Sequence, residues 1–292
     1  MKFGIDVPIF GPYGDPHIII DLARETEQAG WDGFFIWDQI TGYGADNVVD
    51  TQVALAAIAL NTEHIRFGSM ITPLARRRPF KYAREALSLD RLSNGRLICG
   101  VGLGNSKEEF EDLGEGGDLK LRAEMLDESL EIINGLWSQQ PYSFQGKHYQ
   151  IENATFLPKP VQQPRIPIWV AGTWPLKGPF RRAARWDGVF PLWSEQSTEK
   201  MMPPEEFVKL IAFIQKQHQS NALSNAPFDV VHGGHSPADP TQAAEIVRPY
   251  AEAGVTWWLE TIDPWTFGGD TPAETWPLDA MRERIKQGPP KL

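Results

Sequence analysis

The chain has 292 residues, 41% hydrophobic and 23% charged, with 28 basic against 38 acidic side chains and a formal net charge of −10. That length can bury a large core as one α/β barrel or two smaller domains, and the negative balance argues against general nucleic-acid or membrane-surface binding. No apolar run is long enough to span a bilayer, Met1-Lys2-Phe3-Gly4-Ile5 reads as a strand start rather than a signal peptide, and a single cysteine, Cys99, excludes an internal disulfide, so a reducing, cytoplasmic compartment is expected.

In chain order, strand-like runs are expected at residues 3–8, 33–37, 65–71, 97–101, 166–171, 188–191, 228–232 and 256–261. Each is short, apolar and bounded by turn-forming residues. Helices are expected between them at 16–30, 51–61, 80–92, 119–137, 176–185, 204–218, 241–254 and 278–286. Asp15-Pro16 is an N-cap with proline at the first helical position, and Gly30 and Gly254 stand where helices end in a left-handed residue. Eight strands each followed by a helix predict an α/β fold of the (β/α)8 TIM-barrel type, with the site at the strands' C-terminal ends. The alternation keeps one character throughout, which favours the barrel over a doubly wound open sheet. A single domain over residues 1–292 is expected. An insertion over about 105–165, between the fourth and fifth strands, holds one helix and a hairpin at 142–151 turning at Gln145-Gly146-Lys147. A Trp- and Pro-rich stretch, 257–277, follows the last strand; alternation turns one of Trp257 and Trp258 inward and the other outward.

The most informative stretch is Asp90 to Asn105. A polar turn (Ser93, Asn94, Gly95) leads into an apolar run ending in Gly100, Gly102 and Gly104, which implies that something approaches this backbone closely. The spacing is one residue short of the dinucleotide fingerprint, and acidic residues rather than a helix opening follow it, so a Rossmann-type nicotinamide site is a poor reading. Cys99 lies within the run, where a buried, inert thiol is expected. Gly172 and Thr173, ending the fifth strand before a helix, can offer backbone N–H groups and a hydroxyl to a phosphate, with Lys177, Arg181 and Arg182 nearby; the plainer alternative is a capped helix with a basic face. Arg76-Arg77-Arg78 reads as a solvated run or as an attractor for an anion, and His232 and His235 as a polar loop rather than metal ligands. Trp265 is a loop residue that would cap a planar ring or line an apolar pocket.

Several motifs occur in order along the chain: Arg78-Pro79, Ala83-Arg84-Glu85, Leu89 through Leu97, Gly100-Val101-Gly102-Leu103-Gly104, Gly146-Lys147-His148-Tyr149, Pro158 through Pro164, Pro167 through Gly172, and Ala183-Ala184-Arg185-Trp186-Asp187-Gly188. On these motifs the chain resembles the luciferase-like monooxygenase superfamily of FMN- and F420-dependent oxidoreductases, over nearly its whole length. The resemblance implies the barrel and a flavin-type cofactor at its mouth. It implies that Gly172, Thr173 and Arg122 hold the cofactor phosphate, and that Trp37, Ser69, Met70, Gly102, Leu103 and Gly104 flank ring and tail. It also implies a non-proline cis peptide at the third strand's end, with Ser69-Met70 the candidate by position. Asp38, Gln39 and Asn105 would face the reacting edge. Family members often carry histidine where Gln39 stands, and many F420 dehydrogenases carry glutamate where Asn105 stands. Two amides cannot shuttle a proton near neutral pH, so FMN with O2 on a small organic substrate is preferred over F420 hydride transfer. A separate flavin reductase and a homodimer are the partners implied. A non-catalytic flavin-binding protein and a metal-dependent barrel hydrolase are the rivals from other classes.

Overall fold

The computed structural model describes the chain apart from residues 42–46, 105–107, 116–117, 196–199, 219–226 and 271–272. Its strands are β1 (Lys2–Val7), β2 (Gly33–Ile36), β3 (Arg66–Pro73), β4 (Leu97–Gly102), β5 (Tyr142–Gln145), β6 (Gln150–Ala154), β7 (Ile168–Trp174), β8 (Gly188–Trp193), β9 (Asp229–Gly234) and β10 (Trp257–Thr261). Eight of them close into a parallel barrel in the order β1-β10-β9-β8-β7-β4-β3-β2, and β5 and β6 form the separate antiparallel hairpin. The helices are α1 (Pro16–Gln28), α2 (Thr51–Asn61), α3 (Pro79–Leu92), α4 (Leu119–Leu136), α5 (Lys177–Ala183), α6 (Pro204–His218), α7 (Pro240–Glu252) and α8 (Leu278–Lys286). The expected (β/α)8 barrel is therefore the fold. No helix among the described residues is long and apolar enough to cross a membrane.

Helix boundaries follow local chemistry. The Asp15, Asp50, Asp118 and Asp239 side chains each accept a backbone N–H in the first turn of α1, α2, α4 and α7. Gly30 and Gly254 take positive φ just beyond α1 and α7, as a left-handed C-terminal residue requires.

Strand alternation divides two cores. The outward faces pack under the helices, and the inward faces carry Phe35, Trp169, Trp257, Ile98, Val231 and Leu259. Three of these rings meet, Phe35 with Trp169 at 5.5 Å, Phe35 with Trp257 at 5.8 Å and Trp169 with Trp257 at 5.4 Å. Glycines make room for them: a Cβ on Gly33 would stand 2.8 Å from Phe35, and one on Gly188 2.4 Å from Trp169. This plug fills the barrel interior below the C-terminal rim. Trp257 faces in and Trp258 out, as alternation requires.

His232 on β9 is an outward residue, 2% exposed, with ring centroids 4.8 Å from Phe207, 4.6 Å from Tyr250 and 5.2 Å from Trp258. Burial, with a smaller contribution from His235, pushes its pKa down to about 3. A folded-state pKa below the unfolded value of about 6.5 gives stability that is complete above that pH and lost as pH falls towards 3. By pH 4.5 the loss amounts to about 2–3 kcal/mol. His232→Phe, which suits the aromatic surroundings, is expected to flatten this part of the acid limb in thermal unfolding followed from pH 7 to 4.5. An unchanged limb would show that another group titrates there.

Candidate active site at the barrel mouth

A cavity of about 580 Å³ opens at the C-terminal ends of the strands, within the usual range for small-molecule sites. Trp37, Asp38 and Gln39 follow β2 and form one wall. Asp38 is anchored rather than free: Arg76 Nη2 lies 2.6 Å from its Oδ1, Arg77 Nη2 2.9 Å from its Oδ2, and Thr72 Oγ1 donates to Oδ2 at 2.8 Å. Arg76 also pairs with Glu109, whose carboxylate accepts the backbone N–H groups of Ile40 and Thr41. The Arg76 and Asp38 side chains are 2% and 1% exposed. Of the two readings of this run, solvated or drawing an anion, Arg76 and Arg77 take neither with solvent or ligand: acids from the segments after β2 and after β4 pair with them. For the same reason Asp38, expected to face the reacting edge, has both oxygens committed to cations and a hydroxyl.

Along β3 the register with β4 shifts between Ser69 and Thr72, so Met70 and Ile71 together oppose Gly100. The non-proline cis bond lies here, at Met70-Ile71, one peptide later than the expected Ser69-Met70, between the two residues that share one partner on β4. This bulge also explains the glycines of β4. A Cβ on Gly100 would meet Ser69 O at 2.1 Å, and one on Gly102 would meet Ile71 Cδ1 at 1.9 Å. The close approach inferred from the sequence is therefore made by the protein's own third strand. Gly104 has positive φ and lines the cavity with Leu103, Met70 and Ile71.

The facing wall is the end of β7, where Ala171, Gly172 and Thr173 line the cavity. Gly172 leaves room for Pro179, 2.2 Å from where its Cβ would lie, which seats α5 against β7. Arg182 reaches the cavity but donates through two nitrogens to Asp127. Lys177 lies over the Trp174 ring at 3.6 Å.

Between these walls stand Asp6 on β1 and, beyond β9 and β10, His235, Asp263 and Thr266. Trp37 Nε1 donates to Asp6 Oδ2 at 3.1 Å, and the Trp37 ring stacks on Trp265 at 6.2 Å with planes 12° apart. Trp265 backs Trp37 rather than itself lining the cavity. Asp6 is 4% exposed, and its Oδ1 has no hydrogen-bond partner. Burial, reinforced by the charge of Asp263 and opposed by the Trp37 hydrogen bond, holds the Asp6 carboxyl well above the usual carboxylate range.

Of the residues expected at the site, Trp37, Asp38, Gln39, Met70, Leu103, Gly104, Gly172 and Thr173 line the cavity. Three expected there stand behind its wall. Ser69 Oγ bonds Thr72 Oγ1 at 2.7 Å, Gly102 accommodates Ile71, and Arg122 donates to Gly104 O at 3.3 Å with its guanidinium over Phe110. Asn105 lies outside the described residues. Asp6, Glu109 and Thr261 were missed by sequence reasoning; inward alternation from Gly4 would have marked Asp6, but Glu109 has no local signal. No group of three or more His, Cys, Asp and Glu placed to hold a metal occurs among the described residues.

The profile of a family described as luciferase-like monooxygenase matches residues 1–260. The F420-dependent glucose-6-phosphate dehydrogenase of Amycolatopsis mediterranei is 30% identical over 64% of this chain and 58% of that protein. Among solved structures, the F420-dependent tetrahydromethanopterin reductase of Methanopyrus kandleri superposes with a TM-score of 0.75 at 18% identity, covering 98% of this chain and 96% of that one. The oxygenating constituent of 3,6-diketocamphane monooxygenase from Pseudomonas putida, in complex with FMN, superposes at 0.65 and 19% identity over 86% and 72%. Both show the shared barrel.

The Asp38 anchor yields a stability prediction. Asp38→Asn leaves Arg76 and Arg77 without their shared counter-charge and is expected to cost about 3–5 kcal/mol in chemical denaturation. A loss under about 1 kcal/mol, the range of a solvated pair, would contradict this arrangement.

Proposed function

The chain belongs to the luciferase-like monooxygenase family, and from that premise we propose that it is a flavin-dependent oxidoreductase, a monooxygenase using reduced FMN and O2 on a small organic substrate. The observation that carries this reading is the composition of the β2 end. The two polar groups there are an ion-paired Asp38 and the amide of Gln39, whose Oε1 is buried without a partner in a residue that lines the cavity. An amide and a doubly clamped carboxylate orient a ligand and do not shuttle its proton.

The cavity suits a planar, singly phosphorylated ring. It is wide and open at the rim, closed below by aromatic side chains, and walled by apolar Met70, Ile71, Leu103 and Ala171. Thr173 and the Gly172 backbone would hold the phosphate, with Arg122 supplying charge from behind Gly104; its Nε is a buried donor without a partner. Met70, Leu103 and Gly104 would flank the ring and tail, with Ser69 and Gly102 supporting them from within β3 and β4. Gln39 would address the reacting edge. When bound, reduced FMN supplies the electrons for O2 reduction and oxygen transfer to the substrate. The protein's part is to hold the ring, exclude water and place the substrate. The whole chain acts as one domain in this reading, a separate reductase supplies the reduced cofactor, and the active form is a homodimer.

Titration with FMN, riboflavin and F420, followed by quenching of the cavity tryptophan, tests the assignment. FMN is expected to bind more tightly than F420, and Thr173→Val to weaken FMN about tenfold while leaving riboflavin, which lacks the phosphate, unchanged. Binding of F420 alone would overturn the assignment in favour of deazaflavin hydride transfer, a reading that the sequence match to a glucose-6-phosphate dehydrogenase supports. Equal weakening of FMN and riboflavin would remove Thr173 from the phosphate site.

A further inference from the structure

The Asp6 side chain makes one hydrogen bond among the described residues, to the Trp37 indole. It follows Ile5 on β1, so alternation turns it inward, one step above Gly4 and the aromatic floor, and it lines the cavity. Its strand register pairs it with Phe35 on one side and Thr261 on the other. Oδ2 accepts the Trp37 indole N–H, and Trp37 is itself held by stacking on Trp265. Oδ1 is buried without a partner. Asp263, from the segment after β10, is close enough for its charge to act on Asp6, and His235, Asp38, Arg76, Glu109 and Arg182 are the other ionisable groups lining the cavity among the described residues. Both cavity arginines are engaged elsewhere, Arg76 by Asp38 and Glu109, Arg182 by Asp127. Among the described residues that line the cavity, no cation is therefore free to pair with Asp6. Because Oδ2 already accepts a hydrogen bond, a proton on this carboxyl belongs on Oδ1, where it forms an unused donor.

The topology separates this group from the phosphate wall. In the closed ring β1 and β7 lie four strands apart in either direction, so Asp6 and Thr173 stand on opposite sides of the mouth. We propose that Asp6 is the substrate-orienting group of this site, donating a hydrogen bond from its protonated Oδ1 to the carbonyl oxygen of an uncharged organic substrate. This deepens the proposed function, since it takes the same cavity as the place where the substrate is oxidised. An anionic substrate group is disfavoured at this end by Asp263, and a cationic one would require Asp6 to give up its proton. Trp37 is a positioning residue: its N–H on Oδ2 leaves Oδ1 to carry the carboxyl proton.

Infrared spectra of the protein at pH 7, without added cofactor, read that proton directly. The carbonyl stretch of a protonated carboxyl is expected in the wild type and absent from Asp6→Asn. Three probes of one shape then test the ligand class: benzamide (neutral), benzoate (anionic) and benzamidinium (cationic). Benzamide is expected to bind in preference to the other two and to shift the carboxyl band. Its binding is expected to weaken about tenfold in Asp6→Leu and to survive in Asp6→Asn, which keeps a neutral donor. The proposal is overturned if the band is missing, if Asp6→Leu binds benzamide as well as the wild type does (no binding to either included), if Asp6→Asn loses benzamide too, or if benzamidinium is preferred. Titration of the wild type with FMN and F420 is run in parallel. A protein that binds neither cofactor but shows the band and the benzamide selectivity would sink the proposed function and leave the role of Asp6 standing; cofactor binding without the band would do the reverse.

Discussion

One buried carboxylate organises the rim. Asp38 lies just beyond β2, its two arginines stand in and beside the short turn after β3, and Glu109, on the far side of Arg76, comes from the insertion after β4. Three segments that would otherwise be independent loops are thus joined through charges withdrawn from water. Such a network is costly to leave half-formed: any one member removed strands the others in a medium that solvates them poorly. Trp37 and Gln39 flank Asp38, so holding its carboxylate in place also fixes the cavity residues on either side.

A second division follows from closing the sheet. The Thr173 hydroxyl and the Gly172 backbone lie on β7, whereas the carboxyls of Asp6 and Asp263 lie at the ends of β1 and β10. Below both walls the plug of Phe35, Trp169 and Trp257 excludes water from the barrel interior, and glycines on neighbouring strands give those rings their space. A ligand entering at the rim meets an apolar, solid floor. Polar atoms at its sides then do more than they would in water, because a low local dielectric strengthens each of them.

Much of the family's sequence signature turns out to be structural wiring. Arg96 donates to the carbonyls of Ala59, Thr62 and Ile65, neutralising the end of α2 and the turn that follows it. Asp90 accepts the backbone N–H groups of Val161 and Gln162, which fastens the segment returning from the insertion to α3. Glu128 on α4 accepts those of Lys147, His148 and Tyr149 and docks the β5–β6 hairpin. Asp187 takes a bidentate hydrogen bond from Arg165 just before β8. In this chain these residues carry hydrogen bonds between distant segments and do not line the cavity.

The barrel, its insertion and most strand and helix positions could be read from the chain alone, because alternation, caps and turn glycines act over a few residues and leave local marks. The Gly172–Thr173 turn and the β2 end were legible for the same reason. Local marks were misleading where the answer depended on a partner far along the chain. Arg76 and Arg77 look like solvated charge until Asp38 and Glu109 arrive from other elements, and the β4 glycines look like a ligand cradle until the bulge of β3 is laid beside them. Asp6 is an unremarkable acid in an apolar strand, and only the meeting of β1 with Trp37, Asp263 and an open mouth makes it a carboxyl with one idle oxygen. The sequence by itself therefore determined the architecture and the kind of site. Tertiary structure decided which side chains are anchored and which face the ligand, since that depends on desolvation and on charges brought together from remote parts of the chain.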